Sequence, residues 1–137
     1  MEISDQLVIE QLLSDFAWFA DRGDGEALAR LFLPDAILVV GGTELVGRQR
    51  IADDCFRRFN DPHRKTRHVW SNLRIEHSGA DSVTTTAVQM TFEQSAPDMP
   101  TQLRVNDLFD EFRRDADKRW RIARRTIKRE IALALPR

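Results

Sequence analysis

The residues best suited to chemistry are a histidine and an aspartate far apart in the chain. His68 lies in TRHVWSNLRIE (66–76), a stretch that reads as extended, and of the histidines His63, His68 and His77 it alone has strand on both sides. A histidine is the natural general base near neutral pH, because its unperturbed pKa of about 6.5 needs little tuning. Asp21 stands at the end of the first helical stretch, in ADRGD. A carboxylate on one ring nitrogen of a histidine fixes the tautomer, orients the ring and stabilises the imidazolium formed when the other nitrogen takes a proton. Brought together at the bottom of a closed apolar pocket, the two would make a base worth roughly 10²–10⁴-fold in rate. Each also has a structural reading, as a packed strand histidine and as an aspartate binding backbone amides at a helix end. No serine or cysteine is evidently paired with them, so proton transfer fits better than nucleophilic catalysis.

Other polar and aromatic residues could line such a pocket. Asn106, in RVND, is a polar residue in mid-strand whose amide could read a carbonyl or hydroxyl, with Asp107 and Asp110 as alternatives on opposite faces of the same strand. Strand alternation places Trp70 and Asn72 on the face of His68, making Trp70 a pocket wall or a packing residue beneath a helix. Trp18, Phe56, Phe59 and Met90 supply apolar volume, to the pocket or to the core. The chain has no tyrosine, so no phenol can act as an acid or oxyanion donor. Three histidines and the single cysteine, Cys55, give no metal-ligand spacing, and Gly41-Gly42 lacks both the motif and the following helix of a phosphate loop. No metal and no cofactor is therefore expected.

The elements that must position these residues change character along the chain. Residues 3–20 have apolar side chains at helical spacing over a face wide enough to be covered on more than one side, with Ser4 as N-cap and Asp5 in the first turn. The helix should stop near Arg22, because Gly23-Asp24-Gly25 is a turn, with Asp24 capping the segment after it. A short helix over 26–32 ends before Pro34. A strand at 37–40, a Gly41-Gly42 hairpin and a return strand at 44–46 come next. Residues 48–59 then show a helix with Ile51, Ala52, Cys55, Phe56 and Phe59 on one face, broken by Asn60-Asp61-Pro62. Beyond it come four long extended stretches, at 66–76, 82–92, 103–112 and 119–130. Helices first and a meander of long strands after them is the α+β pattern, with helices on one face of a curved, mostly antiparallel sheet.

With 137 residues the chain is long enough for one domain with a real core, and nothing in it reads as a repeat or linker. A net charge of -1 provides no general field for nucleic acid or an anionic membrane. Nine Lys/Arg between 113 and 129 lie beside Asp107, Asp110, Glu111, Asp115 and Asp117, so cross-strand ion pairing accounts for them more simply than nucleic-acid binding. One cysteine, an acidic N-terminal start and short apolar runs lead to an expected cytoplasmic location, with no export signal or membrane span.

The order of elements, with the words FADRGDGEALARLFLPDAIL (19–38), VGRQRI (46–51), TRHVWSNLRIE, LFDEFRR (108–114) and RWRIARRTI (119–127), resembles the SnoaL-like family of the NTF2-like superfamily over nearly the whole chain. That resemblance implies a cone-shaped α+β barrel around a pocket open at one end. Within the superfamily the chain looks most similar to the scytalone dehydratases and hexachlorocyclohexane dehydrochlorinases, where an aspartate ending helix 1 and a histidine early on the first long strand form a catalytic dyad. Asp21 and His68 occupy those slots. Arg125, in IARRTI, falls where the dehydrochlorinases carry a pocket arginine, but both faces of 119–130 carry apolar residues, so alternation leaves its direction open. Phe16 takes a slot where relatives often place tyrosine or lysine, which makes the pocket more apolar. A steroid isomerase pattern fits less well, because its oxyanion hole needs a tyrosine.

The resemblance implies a cofactor-free lyase or isomerase of dehydratase type, acting on a small hydrophobic, oxygenated or halogenated molecule. A non-catalytic ligand binder, or an assembly subunit like the small subunit of ring-hydroxylating dioxygenases, is the alternative; polyketide cyclase or epoxide hydrolase chemistry is a third. It also implies a homodimer or homotrimer built through the sheet.

Overall fold

The computed structural model describes residues 1–136. In order come α1 (Ile3–Arg22), α2 (Gly25–Arg30), β1 (Phe32–Val40), β2 (Thr43–Val46), α3 (Arg48–Arg58), β3 (Lys65–Ser78), β4 (Ser82–Gln94), β5 (Thr101–Arg114) and β6 (Trp120–Leu135). The strands form one six-stranded sheet in the order β2-β1-β6-β5-β4-β3. Every neighbouring pair is antiparallel except β1 with β6. This is the α+β architecture expected from the sequence, with the helices packed against the inner face of the sheet.

Helix α1 buries Ile9, Leu12, Leu13, Phe16 and Ala17 on one face. Full burial of a side chain such as Ile9 or Leu13 contributes about 1.5–3 kcal/mol. The opposite face is open, and Ile3, Leu7 and Trp18 are exposed. The wide apolar face is thus covered on one side only. Ser4 lies inside the helix; Glu2 precedes it as N-cap without a side-chain bond. Asp5 instead accepts hydrogen bonds from Trp120 Nε1 and Arg114 Nη2, at 3.0 and 3.1 Å. At the other end Gly23 closes α1 in the left-handed region, where a β-carbon would run into the Phe59 ring. The Asp24 side chain caps α2 through the Ala27 amide at 3.1 Å.

The largest boundary difference is at β1. The strand begins at Phe32, five residues before the expected start, because Phe32 pairs with Ile122 and the Leu31 carbonyl accepts the Ile122 amide at 2.9 Å. Pro34 falls in the irregular stretch between the Phe32 and Ile37 pairings, where its missing N–H removes no ladder bond.

Two irregularities reverse strand alternation. In β3 the register shifts between Ser71 and Arg74, with Asn72 at φ 57. Asparagine tolerates that conformation, and the shift turns Leu73 and Ile75 towards the core while Asn72 is exposed. In β6 the register shifts beside Ala123, so Ile122 and Arg125 both face inward. Along β4 the inner side is Val83, Thr85, Ala87, Gln89 and Thr91. The outer side bears two adjacent apolar rows across strands, Val69–Met90–Val105–Ile131 and Phe92–Leu103–Leu133. No helix among the described residues is long and apolar enough to cross a membrane.

Candidate active site

The helices and the inner sheet face enclose a cavity of about 910 Å³. Its inner part is apolar, with Phe16, Ala20, Leu28, Leu38, Ile51 and Ile127. Against the expectation of a wholly apolar pocket, the sheet wall is polar and the mouth is charged.

Asp21 and His68 meet at this wall. The turn at Gly23 ends α1 with Asp21 facing the start of β3, and the Asp21 side chain is buried. Its Oδ1 accepts from His68 Nδ1 at 2.5 Å and from the Thr66 hydroxyl at 2.9 Å; its Oδ2 accepts the His68 backbone amide at 2.9 Å. Burial pushes the carboxyl upward, but the His68 ring, the His68 amide and the Thr66 hydroxyl outweigh it and hold Asp21 below the ordinary aspartate value. An ionised acceptor at Nδ1 requires the proton on that nitrogen, which leaves Nε2 as the lone-pair nitrogen. His68 lines the cavity and, among the described residues, its Nε2 makes no hydrogen bond.

Beside the histidine is a ledge of polar side chains. Gln89, Thr91 and Asn106 are 2, 3 and 6 % exposed, all three line the cavity, and their side chains make no hydrogen bond among the described residues. Cross-strand pairing sets Thr91 opposite His68 and Asn106 opposite Gln89. Because these residues line the cavity, their amides and hydroxyl could donate to and accept from an oxygenated molecule held there. Sequence reading singled out Asn106 but missed Gln89 and Thr91. Their signal was the polar residues at 85, 89 and 91 on one side of β4, where the apolar side would have been taken for the interior.

Several expected pocket residues lie elsewhere. Arg125 is fully buried outside the cavity lining, with Nε and Nη2 donating to the two Asp110 oxygens at 2.8 Å each and its guanidinium 4.3 Å from the Phe16 ring centroid. It therefore has no free charge for a leaving group. Phe16 does line the cavity and uses one ring face for that cation. Trp18 is on the outer face of α1 with the Arg22 guanidinium over its ring. Trp70 packs beneath α1, its Nε1 donating to Ser14 at 3.0 Å. Phe56 and Phe59 are exposed on their outer side and close over Gly25 and Gly23 in the α1–α2 turn, where the absence of a β-carbon admits the rings. Met90 is on the outer sheet face, in the row with Val69 and Val105. Cys55 does line the cavity, but burial pushes its thiol up to about 11, so it serves as an apolar wall and not as a nucleophile. Among the described residues no three His, Cys, Asp or Glu side chains converge as a metal site.

A family model described as a SnoaL-like domain matches residues 1–126. Similar solved structures include a candidate scytalone dehydratase from Novosphingobium aromaticivorans, 19 % identical, covering 98 % of this chain and 90 % of that one with a TM-score of 0.85. A type 2 hexachlorocyclohexane dehydrochlorinase is 21 % identical, with 98 % and 90 % covered and a TM-score of 0.84. An NTF2-like protein with a cystatin-like fold, also from N. aromaticivorans, is 26 % identical over 91 % and 81 % of the chains, with a TM-score of 0.76. No curated protein matches the chain by sequence.

Proposed function

We propose that this chain, which belongs to the SnoaL-like domain family, is a cofactor-independent lyase or isomerase of dehydratase type, with Asp21 and His68 as its general base. The observation that carries the reading is the 2.5 Å contact between Asp21 Oδ1 and His68 Nδ1 at the wall of the cavity. The substrate is a small hydrophobic molecule bearing oxygen or halogen. His68 Nε2 takes a proton from a carbon next to an activated position, and Asp21 stabilises the imidazolium. The C–H electron pair becomes a C=C bond as the neighbouring C–O bond breaks, and the departing hydroxide takes the proton from the imidazolium and leaves as water. In an isomerase the imidazolium returns the proton to a different carbon. Asn106, Gln89 and Thr91 hold the substrate oxygens, and Phe16 packs against the body of the molecule. Closing this half-apolar cavity over the reactants strengthens each of these polar contacts.

His68→Ala tests the reading against a panel of hydroxylated and halogenated cyclic compounds. Turnover should fall about 10²–10⁴-fold in a variant that circular dichroism shows still folded. Unchanged turnover removes His68 from the mechanism, and a wild-type protein that binds panel members without converting any favours the non-catalytic binder. The two apolar rows on the outer sheet face support a homodimer or homotrimer through the sheet, because soluble monomers rarely leave such a contiguous patch open.

A further inference from the structure

The mouth of the cavity is more basic than the protein as a whole. Six lining residues are basic and three acidic, in a chain whose net charge is -1. Two of those acids are each shared between two guanidiniums. Asp54 pairs with Arg57 and Arg58, and Glu93 pairs with Arg64 and Arg104. The second cluster is the more enclosed, its three side chains being 17–21 % exposed, so solvent screens it less than a surface pair.

The two arginines on Glu93 are not equivalent. Arg64 is fully committed: Nε and Nη2 donate to Glu93 at 3.1 and 3.3 Å, and Nη1 donates to the Arg58 carbonyl at 3.0 Å. Arg104 gives only Nη2 to Glu93. Its Nε and Nη1 have no partner among the described residues, and Arg104 lines the cavity. Register places it in one cross-strand row with Thr91 and His68, two strands from the histidine. Two strand spacings put their backbones about 10 Å apart. A cation with spare donors, one row-width from the base and carrying a charge its acid only half balances, is built for an anion.

We infer that the substrate is an organic acid whose carboxylate is held by Arg104 while His68 works on the far end of the same molecule. The inference rests on the His68 site proposed above and specifies what it takes: an apolar, oxygenated body with a carboxylate at one end. A carboxylate seated on Nε and Nη1 makes the paired, charge-assisted contact that guanidinium geometry favours. Arg125, already bound to Asp110, cannot supply that contact.

Calorimetric titration with benzoate, cyclohexanecarboxylate and 2-naphthoate, each beside its neutral amide, tests this without turnover. At least one acid should bind the wild type about 10- to 100-fold more tightly than its amide, the range expected for hydrogen bonds to a charged group. Arg104→Gln should remove that difference and leave amide binding within twofold, while Arg104→Lys keeps part of it. Glu93→Gln should strengthen acid binding, since it frees both arginines; a merely structural cluster would weaken it. Binding of none of the acids, equal binding of acid and amide, a difference that survives Arg104→Gln, or loss of amide binding in both Arg104 variants would each overturn the inference. His68→Ala should leave the acid–amide difference intact, so failure of the base and failure of the anion site appear in separate measurements.

Discussion

Two buried carboxylates, Asp110 on β5 and Asp21 at the end of α1, are each bound to a basic partner and differ in what they leave open. Asp110 is six residues along β5 from Arg104, whose cross-strand row holds His68, a separation of roughly 20 Å at the rise of a strand. Its partner Arg125 is 1 % exposed in its side chain, meets both carboxylate oxygens at 2.8 Å and has its face on Phe16. Both charges there are balanced within the protein, although the hydroxyl of Thr85, opposite Asp110 on β4, is buried without a partner. Asp21 is also satisfied, by Thr66 and by the backbone and ring of His68, but its partner is not: the histidine side chain is 18 % exposed and one ring nitrogen is left to the cavity. A pair closed on both sides is a structural element, and a pair open on one side is available for chemistry.

The largest effect that would break this contrast is at the closed pair. Asp110→Ala should cost about 3–5 kcal/mol, because it strands a buried guanidinium, out of a total stability of about 5–15 kcal/mol. Denaturant unfolding measures it, and combining Asp110→Leu with Arg125→Met should recover most of the loss, since an apolar pair of similar volume avoids the desolvation of both ions. A single variant as stable as the wild type would mean that the pair is not a structural element of the core.

At the open pair the effect should appear in rate. Asp21→Asn keeps the shape but removes the charge that stabilises the imidazolium and the acceptor that sets the tautomer, so turnover should drop at least about 10²-fold. Its unfolding midpoint should move far less than that of Asp110→Ala. A large loss of stability with little loss of rate would reverse the two assignments.

The smallest effect is on acid stability. Asp21, Asp54 and Glu93 are each held below their ordinary values, burial raising and their hydrogen-bonded bases lowering, with the lowering dominant. A depressed carboxyl contributes stability that is present above its unfolded pKa, near 4, and lost as pH falls through its folded value. Stability should therefore be flat above about pH 5 and decline below about pH 4. Asp21→Asn should shallow that decline, and a decline of unchanged slope would show that Asp21 contributes nothing to it.

The element order was legible because each piece announces itself locally. Ala20-Asp21-Arg22 ends before a glycine whose left-handed φ terminates α1, and Asp24 caps α2 with its own side chain. The hairpin at Gly41-Gly42 has both residues at positive φ, as the glycine pair implied. The start of β1 was not legible, since Phe32 is extended only because Ile122, ninety residues on, pairs with it. Within the candidate site, the family slots pointed to Asp21 and His68 together. The apolar pocket expectations failed for a common reason: Trp18, Phe56, Phe59 and Met90 are apolar in type, and type alone does not say which face of an element the fold will cover. Arg125 needed a register shift beside Ala123 to be turned inward, and Gln89 and Thr91 needed a buried sheet face on which polar groups outnumber apolar ones.

By itself the sequence determined the fold class and the order of helices and strands, because capping and periodicity act over a few residues; the pairing of Asp21 with His68 came from the family resemblance. Only the tertiary structure decided which arginine is spent and which is free. Whether a guanidinium meets Asp110 in a closed core or keeps two donors for the cavity depends on register and curvature, which arise from pairing between distant strands.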